Sequence, residues 1–419
     1  MERPAAALGE EAKPSPPPAK KAATNICSAF PRLGLLLLST AASARGCVTE
    51  DDCSLLGDCV AGTCVCTAGW AGADCARADL LPFDPGADAG YVNASAASWG
   101  GHPLPDAAVE GRWWLFVSEM ASGCPLWLFE NNSYVARAVS DSGPGGPFRH
   151  VDTVRVPFSH SAQAIGPTPD GYYVLFYIGL PDVGAVIDCA AHGVPPHYVH
   201  PNPPSMNVLS IAWARSLAGP WASRPLFTPN ASAPTAWNCA KTNPAPLLLS
   251  NGTVLLAFRS TPCAGGSGNG GEYLGLASAP HWNSTAYSVS GAPAVAPSDG
   301  TGFHEDPYLF EDARGRLHIV SHNQGPGNVC NRTGSQSCGA HLWSRDGARW
   351  AVSASPVYDL LELSNGSSVL PATRQRPQLV LDSATRAPLW LFNGAMLFGK
   401  GNSDLVHLTH TLAFQFRGS

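Results

Sequence analysis

The chain has 419 residues, a net charge of −6, 43 glycines and 38 prolines, with only 13% charged residues against the roughly 25% usual for soluble domains. Such a length supports a large core and two or three domains, and a glycine and proline share of about a fifth favours turn-rich all-β structure. Beyond Lys21 the only lysines are Lys241 and Lys400, so no basic stripe follows a phosphate backbone and nucleic acid is excluded as a partner.

Residues 1–32 carry Lys13, Lys20, Lys21 and Arg32, and Leu33–Leu38 then opens a short apolar run ending in Ala42-Ser43-Ala44. A run of about a dozen residues is short of the ~20 that span a bilayer, and small residues at 42 and 44 suit signal peptidase. Residues 1–44 therefore read as a signal peptide with a basic leader, cleaved after Ala44. The alternative is an uncleaved signal anchor, which makes the chain a single-pass type II membrane protein held by its amino-terminal segment. Cleavage removes five of 25 cations and three of 31 anions and leaves a net charge of −8. Seven N-x-S/T sequons follow, at Asn93, Asn131, Asn230, Asn251, Asn283, Asn331 and Asn365. A secreted, extracellular glycoprotein is expected.

Cys27 falls in the leader, so 13 cysteines become an even 12, as an oxidising compartment favours. Cys47, Cys53, Cys59, Cys64, Cys66 and Cys75 follow C-x5-C-x5-C-x4-C-x-C-x8-C, with Gly69, Trp70 and Gly72 in the last loop. A zinc site is the competing reading, but thiolates in a secreted chain oxidise. Residues 46–76 closely resemble an EGF-like module, which implies the pairs Cys47 with Cys59, Cys53 with Cys64 and Cys66 with Cys75. Some thirty residues cannot build an adequate apolar core without such staples. Ala44-Arg45-Gly46 stands where calcium-binding modules are acidic, so no calcium is expected there.

After a linker at 77–89, one spacing recurs. Pro103 precedes Gly111 and RWWLFVSE, Pro244 precedes Gly252 and TVLLAFRS, and Pro307 precedes Gly315 and RLHIVSHN, each by eight residues; Gln163–Gly171 and Pro377–Thr385 fit the same ruler. Each unit is a strand, a turn and a second apolar strand, with room for four strands in all. Such sheets bury both faces only when stacked around an axis, so residues 90–416 are expected to form a five-bladed β-propeller, closed by DLVHLTHTLAFQF. Asn251-Gly252 is a favoured hairpin turn nearly equidistant from Cys239 and Cys263, which are expected to bridge at its open end. Cys330 and Cys338 can close a loop around Gly334, which by arithmetic leaves Cys124 for Cys189.

In repeat pattern, the stretches HEDPYLFEDARGRLHIV, KTNPAPLLLSNGTVLLAF and IAWARSLAGPW resemble the propeller glycoside hydrolases of families 43 and 32, the arabinofuranosidase and β-xylosidase type. The resemblance implies a central funnel onto which the starts of the innermost strands project carboxylates that act on a sugar. Counted from the aligned Pro, the facing residues are His102, Ala162, Asn243, Asp306 and Arg376, with Gly101, Ser161, Thr242, Glu305 and Gln375 one place earlier and Gly100, His160, Lys241, His304 and Arg374 two places earlier. Glu305 and Asp306 are the candidate catalytic carboxylates. As strand neighbours they are expected to face opposite ways, so a partner acid has to come from another blade, with Glu119, Glu130, Glu272 and Asp299 as candidates. The family's base and acid positions fall at His102 and Asn243, which are departures. Whether the chain is a glycosidase therefore stays open, against a non-catalytic glycan-binding or adhesion protein. His102, His160, Lys241, Asn243, His304, Arg374 and Arg376 suit binding of a polysaccharide or other glycan, neutral or anionic.

No cofactor is expected, although a cation in the propeller channel is allowed for by analogy, with His318 and His322 approaching the axis. His192, His197 and His200 lack a carboxylate and read as ordinary surface or packing residues rather than metal ligands. Gly265–Gly271 reads as a flexible loop, and no phosphate loop, nucleophile elbow or His-Glu-x-x-His helix is present.

Overall fold

The structure, a computed structural model, describes residues 46–87, 89–180, 186–195, 204–264, 271–331, 337–397 and 409–418. The leader with Cys27, His197, His200 and most of the Gly265–Gly271 loop lie outside the described residues. The EGF-like module carries the hairpin β1 (Gly57–Val60) and β2 (Thr63–Cys66), then β3 (Trp70–Ala71) paired with β4 (Arg77–Ala78). Blade 1 is β5 (Ser98–Pro105), β6 (Trp113–Met120), β7 (Ser133–Ser140) and β8 (Arg149–Arg155); blade 2 is β9 (His160–Ile165), β10 (Tyr173–Ile178), β11 (Leu209–Ala214) and β12 (Ala222–Phe227). Blade 3 is β13 (Ala240–Leu248), β14 (Val254–Thr261), β15 (Tyr273–Ala279) and β16 (Ser288–Val289); blade 4 is β17 (Phe303–Glu311), β18 (Leu317–Gln324), β19 (Gly339–Ser344) and β20 (Ala351–Val352). After a small hairpin, β21 (Leu361–Glu362) and β22 (Ser368–Val369), blade 5 is β23 (Thr373–Leu381), β24 (Pro388–Met396) and β25 (His410–Gln415). Four blades have four described strands and blade 5 has three.

The continuous apolar runs of the second strands follow from burial on both faces. In β6, Leu115 and Val117 pack with Phe392 of blade 5, while Phe116 between them packs with Leu175 and Tyr177 of blade 2. In β10, Val174 and Phe176 turn the other way, onto Leu256 and Phe258 of blade 3. Ala257 then meets Leu309 and Ile319 of blade 4, and Val320 meets Leu391 and Phe414 of blade 5. Five inter-blade cores result, at about 1.5–3 kcal/mol for each large apolar side chain buried. Ring closure uses the chain before blade 1: Tyr91 bridges Thr411 and its N–H donates to the Thr411 carbonyl at 2.7 Å. The turn residues between first and second strands, Gly111, Gly171, Gly252 and Gly315, all have φ between +76° and +85°, with Arg386 at +61° in the fifth.

The six disulfides are Cys47–Cys59, Cys53–Cys64, Cys66–Cys75, Cys124–Cys189, Cys239–Cys263 and Cys330–Cys338. Cys53 and Cys75 of the module are fully buried within the core of blades 4 and 5. Trp70 is the wedge, its ring centroid 6.4 Å from Phe310, 6.0 Å from Phe416 and 5.7 Å from His341. A rim of ions surrounds it: Arg314 pairs with Asp58 at 2.6 Å, Arg316 with Glu50 at 3.0 Å and Arg345 with Asp51 at 3.0 Å. The stretch expected as linker lies along the propeller, with Ala78 N–H donating to Val357, Leu81 to Gln415 and Phe83 to Glu362 carbonyls at 2.8–2.9 Å. Replacing Trp70 with Ala should cost about 3–5 kcal/mol and release the module. Limited proteolysis between residues 77 and 87 checks this, and a variant cut no faster than the parent would contradict the wedge.

Candidate functional site

Each innermost strand breaks its ladder near its start, at a residue with left-handed backbone. These residues are Gly100 (φ +66°), Ser161 (+54°), Asn243 (+49°), Asp306 (+53°) and Arg376 (+52°), and in all five blades the pairing register shifts beside them. This fixes the true alignment of the axis. Gly252 follows Asn243 by nine residues and Gly315 follows Asp306 by nine, but Gly171 follows Ser161 by ten and Gly111 follows Gly100 by eleven. Counting back from the turn glycine therefore misplaces blades 1 and 2. Gly100, rather than His102, occupies the position of Asp306, and His160 stands level with Glu305.

The bulge also overturns the expectation that Glu305 and Asp306 face opposite ways. An extra residue in left-handed conformation cancels the strand alternation, and a ligand atom of Glu305, of Asp306 and of His322 lie within 4.8 Å of one another. Around them charges are paired closely. Arg259 bridges Glu272 at 2.5 Å and Glu305 at 3.4 Å, and Gln324 donates to Glu305 at 3.2 Å. Arg376 lies 3.0 Å from Asp306, Asn243 donates its amide to the same carboxylate, and Arg376 Nη2 stands 3.0 Å from His160 Nε2. His160 Nδ1 is 2.6 Å from Ser133 Oγ, and Phe129 stacks on the imidazole at 5.0 Å.

Above this cluster opens a cavity of about 820 Å³, lined by Phe129, Glu130, Phe158, His160, Thr242, Asn243, Arg259, Glu305 and Arg376 among others. Below it the axis narrows to about 10 Å³ between Gly100, Ser161, Gln163, Asn243 and Asp306. There Gln163 of blade 2 donates to the Pro307 carbonyl of blade 4 at 2.9 Å. Burial opposes charge on Glu305, but Arg259, His322 and Arg376 outweigh it and hold the carboxyl well below its usual range. Burial raises Asp306 and Glu272, each against its own guanidinium and helped by the charge on Glu305. One carboxylate is thus kept ionised while its neighbours are pushed toward protonation. Glu305, Asp306 and His322 also form a donor set for a hard cation, beside two guanidinium groups that already balance their charge.

Of the residues read from the sequence, Glu305, Asp306, Asn243, His160 and Arg376 meet in this site. Lys241, His304 and Arg374 do not line the cavity: each stands two places before its bulge and turns into its own blade or the gap beside it. Lys241 Nζ donates to the Asn238 carbonyl at 2.6 Å, and His304 Nδ1 lies 2.9 Å from Ser321 Oγ. His102 bonds Gln378 at 2.8 Å between blades 1 and 5. Of the four further acids, Glu130 lines the cavity and Glu272 binds Arg259, whereas Glu119 is held by Tyr91, Tyr134 and Asn93, and Asp299 caps a turn. His318 bonds His341 at 3.0 Å toward the module, so only His322 of that pair reaches the site. Arg259 was missed, although a lone cation closing the apolar run VLLAFR is a signal for it.

Residues 49–78 match the teneurin-like EGF domain. No curated protein matches the chain. Among solved structures, the inulosucrase of Halalkalicoccus jeotgali bound to kestose is 13% identical with a TM-score of 0.52, covering 82% of this chain and 90% of that one. A protein of unknown function from Dyadobacter fermentans is 12% identical with a TM-score of 0.51, covering 78% and 97%. A family 117 glycoside hydrolase from Zobellia galactanivorans gives 12% and 0.48, over 81% and 88%. The likeness is one of fold: a five-bladed propeller whose structural neighbours are glycoside hydrolases of the family 43 and 32 type.

Two outcomes are expected. A Cβ at Gly100 would stand 2.7 Å from Arg376 Cδ and 2.8 Å from its Cβ, whereas one at Gly111 meets nothing within 4 Å. Both have positive φ, so Gly100→Ala should lower the denaturation free energy by clearly more than the ~1 kcal/mol expected of Gly111→Ala. Equal losses would show that Arg376 is not packed against the Gly100 backbone. The second concerns pH. Burial lowers the pKa of His102 and His304 to about 4 and depresses His160, His318 and His341 as well, with Arg376 adding to it at His160, His322 at His304 and His318 at His341. The unfolded chain takes up protons near pH 6.5 that the folded chain refuses, so stability is full above about 6.5 and declines toward pH 4. Melting temperatures measured from pH 7.5 to 4.5 should fall steadily, and a flat profile would contradict the neutral, buried assignment.

Proposed function

We propose that the protein is an extracellular carbohydrate-binding propeller whose funnel takes a glycan, with an EGF-like module in front. The observation that carries this reading is the cavity of about 820 Å³ over the paired cluster of Arg259, Arg376, Glu305, Asp306, Asn243 and His160. Fixed donors and acceptors of that kind match a polyhydroxyl ligand, Phe129 and Phe158 supply ring faces, and the volume suits a small saccharide. Binding is favoured over cleavage because the axis positions on blades 1 to 3 are Gly100, Ser161 and Asn243. Both axial carboxylates come from one blade, and each is held by a guanidinium.

Hydrolysis is the second reading, and one observation favours it. Glu130, from the short helix α1 (Phe129–Asn132) of blade 1, lines the same cavity as Glu305 of blade 4, and glycosidic cleavage needs carboxyl groups on two sides of a bond. Entry by the secretory pathway, with residues 1–44 cleaved or retained as an anchor, belongs to this proposal, as does a propeller domain over 90–416 behind a module over 46–76. An EGF-like domain and six disulfides suit the extracellular space, and no helix among the described residues is long and apolar enough to cross a membrane. Sugar attachment is proposed at the exposed Asn230, Asn251, Asn283, Asn331 and Asn365; Asn131 is half-buried, and Asn93 spends its amide on Glu119 at 2.8 Å.

Kestose, found in the inulosucrase of the same fold, is the first probe, followed by arabinan and xylan. The secreted protein should be retarded on one of these polymers or bind kestose, and Arg376→Gln should weaken that binding by tenfold or more while Arg417→Gln leaves it unchanged. Oligosaccharides released by the parent and by neither Glu305→Gln nor Glu130→Gln would replace binding with hydrolysis. Neither retention nor release across the panel would remove the carbohydrate reading.

A further inference from the structure

Two buried imidazoles stand where blade 4 meets the EGF-like module. His318 of β18 and His341 of β19 are both fully buried, and His318 Nδ1 lies 3.0 Å from His341 Nε2. From this pair a polar chain runs into the module: His341 Nδ1 is 3.0 Å from Ser353 Oγ, and Ser353 Oγ is 2.9 Å from Ser54 Oγ. A stack of rings runs beside it, with centroids 5.0 Å apart from Phe310 to His318, 5.2 Å from His318 to His341 and 5.7 Å from His341 to Trp70. The charged groups acting on the pair are Asp312, 3.4 Å from His318 Nε2, and Arg316, which binds Asp312 at 2.7 Å and Glu50 of the module at 3.0 Å. The module's own groups at the pair, Ser54 and Trp70, are uncharged. A gap of 3.0 Å between two ring nitrogens holds one proton, donated by one ring and accepted by the other. With both rings protonated, two N–H groups and two positive charges would face each other across it. The closed junction therefore refuses at least one of the two protons that solvated imidazoles accept below about pH 6.5, and burial opposes the other.

We propose that the His318–His341 pair is an acid-operated latch, at which proton uptake by the two rings lifts the EGF-like module off blades 4 and 5 while the propeller stays closed. Lifting Trp70 and Ser54 wets the rings, and each then titrates near its ordinary value. Both pKa values are depressed in the closed state, so the latch holds fully above about pH 6.5 and weakens as pH falls below it. From pH 7.5 to 5.0 one histidine raises the release constant by up to ~30-fold and the pair by up to about a thousandfold. The neighbouring acids do not share this titration. Burial opposes charge on Asp312, but His318 and Arg316 hold its carboxyl well below the usual range, and Arg314 lowers Asp58 in the rim. Ring closure rests on Tyr91 and Thr411, away from the pair. None of the latch residues lines the funnel, so the latch stands whether or not the funnel takes a glycan.

Hydrogen exchange of the full chain is followed from pH 7.5 to 5.0 and corrected for the intrinsic rate at each pH. The N–H groups of Ala78, Leu81 and Phe83 donate across the junction and report its opening, while β6 and β10 report the ring. Opening at the junction is expected to rise by a hundredfold or more over this range, with β6 and β10 remaining the more protected at every pH. His341→Phe keeps a ring face for Trp70 and removes one of the two protons, so the rise should shrink to about thirtyfold or less. The parent's profile decides the matter if that variant does not fold. Junction opening that does not change with pH, or that equals the opening of β6 and β10 at pH 5.0, would overturn the latch. The full rise retained in His341→Phe would overturn its assignment to these rings.

Discussion

Every second strand of the propeller is apolar on both faces, and no blade can bury that surface without a neighbour on each side. Phe116 and Leu115, adjacent in one strand, belong to different cores, as do Phe176 and Leu175, and Val320 and Ile319. A ring is the arrangement that leaves none of these faces wet. Closure follows from the same need, which is why the Tyr91 segment returns to Thr411 before blade 1 begins. At the gap between blades 4 and 5 the EGF-like module completes the job, and its Trp70, Cys53 and Cys75 are part of the propeller's own core.

Stacking five sheets brings five strand starts together at the axis, and polar groups there have to be satisfied by one another. The left-handed residue on each inner strand is the device that permits it. At Asp306 it swings a second carboxylate onto the side of Glu305, and at Gly100 it lets Arg376 lie against bare backbone. Two guanidinium groups then balance the acids, Arg259 from the second strand of blade 3 and Arg376 from the first strand of blade 5. Glu305 stays ionised under a cavity with Phe129 and Phe158 in its walls, held by Arg259, His322 and Arg376.

The five units, their turn glycines and the EGF-like pattern were legible in the sequence because each rests on local spacing. Register at the axis was not, since the distance from bulge to turn runs from nine residues at Asn243 to eleven at Gly100. A ruler anchored at the turn places Asn243, Asp306 and Arg376 correctly and misses Gly100, and it sets His160 one level off. Arg259 escaped for a different reason: it reaches the cavity from a second strand, where no repeat marks it, and Glu130, which arrives from a connection, could be named only as one of four acids without an aligned position. In the sequence Trp70 is only a residue of the last EGF-like loop, and the meeting of two domains gives it Phe310, His341 and Phe416 as neighbours.

The Gln163 amide, bonded across the axis to the Pro307 carbonyl over a space of about 10 Å³, makes the propeller a cup rather than a tube. The floor of the cavity is thus built jointly by at least three blades, from Ser161 and Gln163 of the second, Asn243 of the third and Asp306 with Pro307 of the fourth, so that no one blade can shift without reshaping it.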